Sequence, residues 1–274
     1  MPSLNFAKGH GTLNDFVILV DPDDRRPIDA DQVRMLCDRR AGIGGDGLLR
    51  AVRAGFITDW AGDPELWFMD YRNGDGSIAE MCGNGLRVFV RHLWEQGLVD
   101  QGRLDIATRA GLRTAWPQDD GRIKVSMGAA RVSPEPTWVE LDGRRHPATT
   151  VDVGNPHAVV VLDDEAELAA LDLSRAPSFD AGLYPAGVNV EFVVASSRQR
   201  LAMRVHERGV GETMSCGTGI VATAAAHLVR TGQLTGHVEV EVPGGLLDVQ
   251  IDEDQAYLCG PAVVVAHGSV VLPD

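Results

Sequence analysis

Lysine is nearly missing from this 274-residue sequence, and basic residues as a group are in deficit. Lys8 and Lys124 are the only lysines, and 39 Asp and Glu residues against 25 Lys and Arg give a formal net charge of −14. A chain this acidic repels the phosphates of nucleic acids and anionic lipids, so we expect no nucleic acid or membrane partner. No apolar run approaches the roughly 18 residues of a membrane-spanning helix, and the N-terminus lacks the pattern of a signal sequence. The expected compartment is the cytoplasm.

The four cysteines are widely spaced and form no Cys-x-x-Cys pair. This spacing argues against a zinc site or a thioredoxin-like motif, and we expect no metal. In a reducing cytoplasm the cysteines should be thiols. Cys37 and Cys259 lie in apolar segments and are expected to be buried small side chains. Cys82 and Cys216 are different because each precedes a Gly-x-Gly turn.

Turn-forming residues divide the chain into many short strands and few helices. The predicted helices are Ala30–Asp38, Gly83–Gln96, Ala166–Leu171 and Gly217–Thr231. The predicted strands are Asp15–Val20, Leu48–Val52, Glu65–Tyr71, Arg103–Thr108, Leu112–Trp116, Arg122–Met127, Thr149–Val153, His157–Leu162, Gly187–Val194, Arg200–Glu207, His237–Val242, Leu246–Ile251 and Ala262–His267.

One pattern occurs twice, about half a chain apart. A strand ending in polar residues, a Gly-rich turn and a Cys-Gly-x-Gly helix start are found around Cys82 and again around Cys216. Self-similarity on this scale favours two related lobes. We predict an N-terminal lobe of residues 1–127, joined by the C-terminal tail 265–274, and a second lobe of residues 128–264. Glycine and proline collect near the boundary, between Gly128 and Pro136.

A cysteine at the start of a helix has a distinctive electrostatic environment. The first N–H groups of a helix lack intrahelical partners and carry partial positive charge, which favours a thiolate or a bound carboxylate. We therefore expect the thiol pKa to fall toward 7 at Cys82 and Cys216, which would make either sulfur a usable base. Two such sulfurs, facing one carbon from opposite sides, could remove a proton from one face and deliver one to the other. That reaction inverts a stereocentre without a cofactor.

Six blocks of sequence, in order, are similar to the diaminopimelate epimerase family of pyridoxal-independent amino-acid epimerases. The blocks are Lys8–Phe16, Asn73–Ser77, Cys82–Arg87, Gly154–His157, Gly187–Asn189 and Glu207–Gly219. The resemblance implies an α/β (α+β) fold of two pseudo-symmetric lobes, each a curved, mostly antiparallel sheet wrapped around a central helix. It places the active site in the cleft between the lobes, and it implies that the chain forms a homodimer.

The resemblance also assigns roles to residues of this chain. Cys82 and Cys216 correspond to the catalytic cysteines that exchange acid and base roles with substrate configuration. His157 and Glu207 correspond to residues near the reacting amine and are expected to tune the thiols. The substrate-binding positions are Asn14, Asn73, Gly83, Asn84, Asn155, Asn189, Glu207, Arg208, Gly217 and Thr218. An Arg fork suits a carboxylate and a Glu side chain suits an ammonium, which agrees with a substrate that is a small amino acid.

Two departures from the family pattern stand out. Many members have glutamine where this chain has Gly47, so water or a neighbouring side chain must replace an amide that helps to hold the substrate. Many members also carry an aromatic residue near the C-terminus that contributes to dimer contact, where this chain has Ala266 and His267.

Other functions remain open at this point. A related racemase would keep the fold and change the substrate, and a dithiol redox protein would cycle Cys82 and Cys216 between thiols and a disulfide. A non-catalytic amino-acid-binding protein would have no need of paired sulfurs. A pyridoxal enzyme would have only Lys8 and Lys124 as candidates, and neither lies in a recognisable phosphate-binding context, so we expect no cofactor.

Overall fold

The computed structural model describes residues 3–272, which contain mostly strands and few helices. The first part of the chain forms β1 (Ser3–Gly11), β2 (Asn14–Val20), β3 (Gly47–Arg53), β4 (Trp67–Asn73), β5 (Leu104–Thr108), β6 (Gly111–Pro117) and β7 (Ile123–Gly128). There follow β8 (Arg131–Leu141), β9 (Arg144–Asp152), β10 (Pro156–Val161), β11 (Ser178–Phe179), β12 (Asn189–Ala195), β13 (Arg200–Glu207), β14 (Gly211–Thr213), β15 (Gly236–Val242), β16 (Gly245–Ile251), β17 (Ala256–Gly260) and β18 (Val263–Val271). The α-helices are α1 (Ala30–Cys37), α2 (Gly83–Glu95), α3 (Glu165–Ala170) and α4 (Gly217–Arg230), and a short 3₁₀ turn spans Ala54–Phe56.

The chain divides into two compact units. Unit 1 runs to Val125 and also includes the chain from Pro261 onward, and unit 2 is Ser126–Gly260. The lobes predicted from the sequence, residues 1–127 with 265–274 and residues 128–264, reach beyond the described residues at both termini. Their independence as lobes stays a prediction.

Unit 1 is built on a mixed sheet with the strand order β18-β1-β2-β3-β4-β5-β6-β7. The β2–β3 and β4–β5 pairs are parallel and the other neighbours are antiparallel. Helix α2 packs on this sheet through contacts with β1, β2, β3, β4 and β18.

Unit 2 repeats this series of pairings among its own strands, in the order β8-β9-β10-β12-β13-β15-β16-β17. Here the β10–β12 and β13–β15 pairs are parallel and the other neighbours are antiparallel. Helix α4 contacts all eight of these strands. The predicted α/β class, with mostly antiparallel strands and few helices, is confirmed.

The helix that follows each motif cysteine is buried on nearly every side. In α2 even Arg87 is fully buried, where its guanidinium donates to the carbonyl oxygens of Gly83 and Pro261 at 3.4 and 3.3 Å. In α4 the small side chains Ala222, Ala224 and Ala225 are buried against the strands. A helix enclosed in this way has little freedom to shift, so the residues at its first turn are held firmly in place.

The four predicted helices are confirmed, and their observed ends differ from the predicted ones by one residue at most. Among the strands, β1, β8, β11, β14 and β17 were not predicted. Strand β8 contains Pro134 and Pro136, and its pairing with β9 shifts register between Val132 and Pro136. Proline is tolerated where a strand is irregular, so the segment at the predicted lobe boundary forms a strand.

Within residues 3–272, no helix is both long enough and apolar enough to cross a membrane.

Candidate active site

A strained hairpin places Asn14 at the start of β2 in unit 1. Between β1 and β2, Thr12 and Leu13 both have positive φ angles, +52° and +63°. The backbone N–H of Leu13 donates to Nδ1 of His10 at 3.3 Å, which helps to hold the turn. Residues other than glycine rarely adopt this conformation, and strain of this kind is concentrated at functional sites. The turn directs the Asn14 side chain toward the first turn of α2.

Asn14 links three of the elements that carry motif residues. Its Nδ2 donates to Oδ2 of Asp46 at 2.7 Å, and its Oδ1 accepts from Nδ2 of Asn84 at 3.3 Å. The sulfur of Cys82 lies 3.6 Å from the same Oδ1. Asp46 is held in turn by Arg39, whose guanidinium donates to it at 2.7 Å. Unit 1 therefore brings together the predicted residues Asn14, Cys82 and Asn84.

Cys82 is the N-cap residue of α2, with extended backbone angles. Its sulfur accepts the backbone N–H of Gly85 at 3.3 Å, which uses one of the N–H groups left over at the helix start. The sulfur consequently lies where the partial positive charge of the helix is concentrated. Gly83 and Asn84, the first helical residues, are both buried.

Asn73 ends β4, and its side chain is fixed by its own neighbours. The Tyr71 hydroxyl donates to Oδ1 of Asn73 at 2.9 Å, and Nδ2 of Asn73 donates to Oγ of Ser77 at 3.0 Å. Gly47 pairs with Asn73 across β3 and β4. A Cβ atom at Gly47 would lie 2.6 Å from the Arg72 carbonyl oxygen and 2.8 Å from the Tyr71 ring. The ring of Tyr71 thus occupies the space into which a side chain at position 47 would project.

In unit 2, Cys216 is the N-cap residue of α4 and is 6 % exposed. The nearby Glu207 carboxylate acts on its thiol through its charge and accepts the Thr213 hydroxyl at 2.5 Å. The Cys216 sulfur lies 3.6 Å from Oγ1 of Thr218. Unit 2 therefore brings together the predicted residues Cys216, Glu207 and Thr218. Gly217 is buried between them in the first turn of the helix.

The protein's own charges favour the thiol form of Cys216. Burial raises the thiol pKa well above its ordinary value, and the carboxylates of Glu207 and Glu191 raise it further, against smaller opposing hydrogen bonds. Burial also raises the pKa of Glu207, although the Thr213 hydrogen bond opposes the change. The prediction that the helix N-terminus would lower the thiol pKa is therefore wrong for Cys216. The positive end of the helix is outweighed by exclusion of water and by two nearby carboxylates.

Glu191, which lies beneath His157, was not predicted from the sequence. Both side chains are fully buried, and His157 Nδ1 lies 2.7 Å from Oε1 of Glu191. The other ring nitrogen, Nε2, lies 3.1 Å from Oδ1 of Asn155. A glutamate inside the apolar strand β12, Asn189–Ala195, was the available signal, because a buried charge requires a partner.

Asn189 and Arg208, two further predicted binding residues of unit 2, contact each other. The backbone N–H of Arg208 donates to Oδ1 of Asn189 at 2.9 Å, and Nη1 of Arg208 donates to the Ala186 carbonyl oxygen at 3.0 Å. Gly187 has a φ of +83°, and a Cβ atom there would lie 2.8 Å from Cδ of Arg208. The glycine therefore allows the Arg208 side chain to lie against the loop.

The family resemblance implies that Arg208 binds substrate, so we expect Gly187→Ala to raise the KM for an amino-acid substrate about tenfold with little change in kcat. The added methyl group would displace the Arg208 side chain. Losing a well-placed hydrogen bond from a charged group costs about 1.5–3 kcal/mol of binding free energy, and a partly displaced side chain loses the lower part of that range. Steady-state kinetics measure the effect. Gly209→Ala is a matched control, since Gly209 also has a positive φ, +76°, but a Cβ atom there meets nothing within 4 Å. An equal rise in KM for both variants would contradict this role for Gly187.

Two kinds of residue that could hold a cofactor are metal ligands and lysines. Within residues 3–272, no group of three or more His, Cys, Asp and Glu side chains is arranged to hold an ion. Of the two lysines, Lys8 forms an ion pair with Asp15 at 2.5 Å and also donates to the Gly44 carbonyl oxygen.

Comparison with solved structures defines the class of fold. A Bacillus anthracis phenazine biosynthesis protein of the PhzF family covers 99 % of this chain and 100 % of its own, with a TM-score of 0.75 at 15 % identity. The chain therefore has the α/β fold of the PhzF-like proteins, and at this identity the likeness extends to the fold alone.

Sequence relatives define the family within that class. The family model described as diaminopimelate epimerase matches residues 6–133 and 149–270. A diaminopimelate epimerase of Corynebacterium glutamicum is 47 % identical over 273 residues, 98 % of each chain. One of Streptomyces coelicolor is 49 % identical over 274 residues, 96 % of this chain and 94 % of its own. The chain belongs to the diaminopimelate epimerase family, and the resemblance seen in the six sequence blocks is confirmed.

Proposed function

We propose that this chain epimerises diaminopimelate, interconverting the LL and meso isomers as an isomerase of lysine and peptidoglycan-precursor biosynthesis. In this proposal Cys82 and Cys216 are the paired acid and base, each working on one face of the same α-carbon. Full-length similarity to diaminopimelate epimerases supports the activity. The observation that carries the mechanism is that each unit places a cysteine at the N-cap of its buried helix.

The proton balance of the reaction is simple. The thiolate of one cysteine takes the α-proton, and the electron pair of the broken C–H bond is delocalised toward the α-carboxylate. The thiol of the other cysteine then delivers its proton to the opposite face, so the configuration is inverted and the two sulfurs have exchanged protonation states. Each group must act as an acid in one direction and as a base in the other, which explains the use of two residues of the same type.

The helix N-termini stabilise the negative charge that develops on the substrate as the α-proton is removed. The N–H groups of Gly83 and Asn84 in unit 1, and of Gly217 and Thr218 in unit 2, belong to the first turns of α2 and α4. Donors of this kind favour the negative charge that builds on the α-carboxylate as the C–H bond breaks. This is the role that we propose for these four residues.

The charges around Cys216 suit a substrate that carries an ammonium group. Glu207 and Glu191 disfavour the thiolate of Cys216 in the protein alone. The α-ammonium of an amino acid beside Glu207 would offset those negative charges and make ionisation of Cys216 easier. Substrate binding would therefore favour ionisation of the Cys216 thiol. His157, whose charge acts on Glu207, would contribute to the same balance of charges around the sulfur.

The distal end of diaminopimelate carries a second carboxylate and a second ammonium. We propose that the Arg208 guanidinium receives that carboxylate, because its planar fork matches carboxylate geometry. The side-chain oxygens of Asn14, Asn73, Asn155 and Asn189 are the proposed acceptors for the ammonium groups. Only a substrate with two such ends would use all of these groups.

We also propose that the chain acts as a homodimer in the cytoplasm. Apolar side chains exposed along β18 support the assembly, with Val265 55 % exposed. A reducing compartment supports the chemistry, because both thiols must stay reduced. Light scattering coupled to size-exclusion chromatography tests the assembly, and a molar mass equal to the 29.4 kDa chain would contradict it.

Incubating the reduced protein with LL-diaminopimelate, and separating the isomers by chiral chromatography, tests the proposed activity. We expect the meso isomer to accumulate until the two forms reach equilibrium. Proline, glutamate and lysine should be racemised at least 100-fold more slowly, because they cannot use both ends of the site. A preference for one of these amino acids would instead support a racemase with another substrate. Reduction of a disulfide substrate, without isomer exchange, would support the dithiol redox protein.

A further inference from the structure

The structure contains a buried chain of hydrogen bonds in unit 2 whose innermost member is Glu191. The Glu191 carboxylate and the His157 ring are 0 % exposed and their nearest polar atoms are 2.7 Å apart. From the ring the chain continues to Asn155, 3.1 Å from Nε2 and only partly buried. Glu191 contacts no solvent, so it can act on a substrate only through its neighbours.

The chemistry of the atoms decides which of them donates and which accepts in each of these hydrogen bonds. A carboxylate oxygen accepts hydrogen bonds and does not donate them, so the proton between His157 and Glu191 belongs to Nδ1. The second neighbour, Oδ1 of Asn155, is also an oxygen acceptor, so Nε2 carries a proton as well and donates it there. The ring therefore donates at both nitrogens, and the carboxylate of Glu191 fixes where it points and balances its charge.

Space for the carboxylate depends on a missing side chain in α4. A Cβ atom at Gly219 would lie 2.6 Å from Oε1 of Glu191 and 3.3 Å from its Cδ. The corresponding glycine of α2, Gly85, faces the apolar side chains of Leu49 and Phe16 instead. The two Cys-Gly-x-Gly turns therefore differ, and the one in unit 2 is fitted around a carboxylate.

We infer that Glu191 is a positioning residue that holds His157 by its Nδ1–H and, through the ring, orients the Asn155 amide for substrate binding. The inference rests on the proposed function, in which Asn155 is a substrate-binding residue. The Glu191 carboxylate also lies near Cys216, so a purely electrostatic action on the thiol is the competing explanation. The two explanations predict opposite behaviour of two conservative variants.

Glu191→Asp keeps the negative charge but shortens the side chain by one methylene, so its carboxylate falls short of Nδ1. Glu191→Gln keeps the length and an oxygen acceptor but removes the charge. We expect Glu191→Asp to raise the KM for diaminopimelate about tenfold, the effect of one lost hydrogen bond, with kcat changed less than threefold. The Glu191→Gln variant should keep its KM within about threefold of the unchanged protein. A general loss of folded protein would lower apparent kcat and leave KM unchanged.

A nuclear magnetic resonance measurement on ¹⁵N-histidine-labelled protein tests the contact without using activity. His157→Gln assigns the ring signals, and His146 is an internal reference. His146 packs edge-to-face on Phe192, the residue after Glu191, with ring centroids 6.2 Å apart. We expect Nδ1 of His157 to carry a proton in the unchanged protein and in Glu191→Gln. In Glu191→Asp the two ring nitrogen signals of His157 should shift, while those of His146 stay in place.

Several results would overturn the inference. Unchanged His157 signals in Glu191→Asp would remove the contact, and a raised KM in Glu191→Gln beside a normal KM in Glu191→Asp would assign the effect to charge. An unchanged KM in Glu191→Asp with altered ring signals would remove the link to substrate binding. If the unchanged protein fails to epimerise diaminopimelate, the proposed function falls, while the ring signals still decide whether Glu191 holds His157.

Discussion

Replacing Cys216 with alanine should lower kcat for diaminopimelate epimerisation by roughly 10³- to 10⁴-fold, and Cys82→Ala should do the same. Each variant lacks one of the two groups that must hold a proton on its own face of the α-carbon. Positioned acid or base groups contribute about 10²- to 10⁴-fold to a rate. Here the remaining cysteine cannot replace the missing one, because its sulfur lies on the opposite face of the α-carbon. The loss should appear in kcat, since the substrate-binding groups are retained. Chiral chromatography of the product at saturating substrate measures it.

Cys37→Ala is the matched control for the loss of a thiol. Cys37, the last residue of α1, is 5 % exposed and lies in the apolar core, where burial raises its pKa to about 11. The variant should keep kcat within about twofold while losing some stability, because a small buried side chain is truncated. Normal turnover by Cys216→Ala, or by Cys82→Ala, would contradict the two-base mechanism.

Glu207→Gln should change activity and thiol reactivity in opposite directions. The carboxylate raises the pKa of Cys216, so removing its charge lowers that pKa and increases the thiolate fraction at neutral pH. Alkylation of Cys216 by iodoacetamide should therefore become faster, about tenfold for each unit by which the pKa falls. Epimerisation should fall by about 10²-fold, because the substrate ammonium loses its counter-charge beside the reacting carbon. Mass spectrometry of the alkylated protein follows the first effect and the isomer assay follows the second.

Glu212→Gln controls for the loss of a nearby carboxylate. Glu212 lies in β14, where it accepts two hydrogen bonds from Arg204 at 2.7 and 3.0 Å. This variant should keep both the activity and the slow alkylation of Cys216. Unfolding could also expose Cys216, but it would then expose Cys37 as well, so selective labelling separates the two causes. Slower alkylation of Cys216 in Glu207→Gln would show that the charge acts with the opposite sign.

The helices were predictable from the sequence because their signals are local. Ala30–Cys37 begins after Asp29, whose side chain accepts from Gln32 in a capping box, and the two cysteine-capped helices begin at glycines followed by long apolar segments. Such features act within a few residues of each other. The repeated cysteine motif likewise indicated that two parts of the chain share one topology.

Several strands were not predictable because their stabilising partners lie far away in sequence. Strand β1 contains Gly9 and Gly11, which weaken strand propensity, and it is held by pairing with β18 at the other end of the chain. In β8, Pro134 and Pro136 lie at the predicted boundary between the lobes and disfavour a strand, but pairing with the adjacent β9 and with the more distant β11 outweighs them. A local pattern carries no information about such distant partners.

The site residues were predictable to the extent that they belong to motifs. Asn14, Cys82 and Asn84 form one hydrogen-bonded group, and Cys216 contacts Thr218 and is influenced by the charge of Glu207. Their catalytic and binding roles stay predictions. Glu191 belongs to no motif, and its contact with His157 depends on the register between β10 and β12. The raised pKa of Cys216 was likewise hidden, because burial and distant carboxylates are tertiary properties.

Deuterium distribution during early turnover in D₂O tests the two-thiol mechanism most directly. The reduced protein is mixed with protiated LL-diaminopimelate, and both isomers are recovered within the first tenth of the reaction for mass spectrometry. One sulfur takes the substrate hydrogen and the other delivers a solvent deuteron, so the meso product should carry one deuterium while the recovered LL isomer remains protiated. Deuterium appearing in the LL isomer as fast as in the product, or protium retained in the product, would mean that a single base serves both faces.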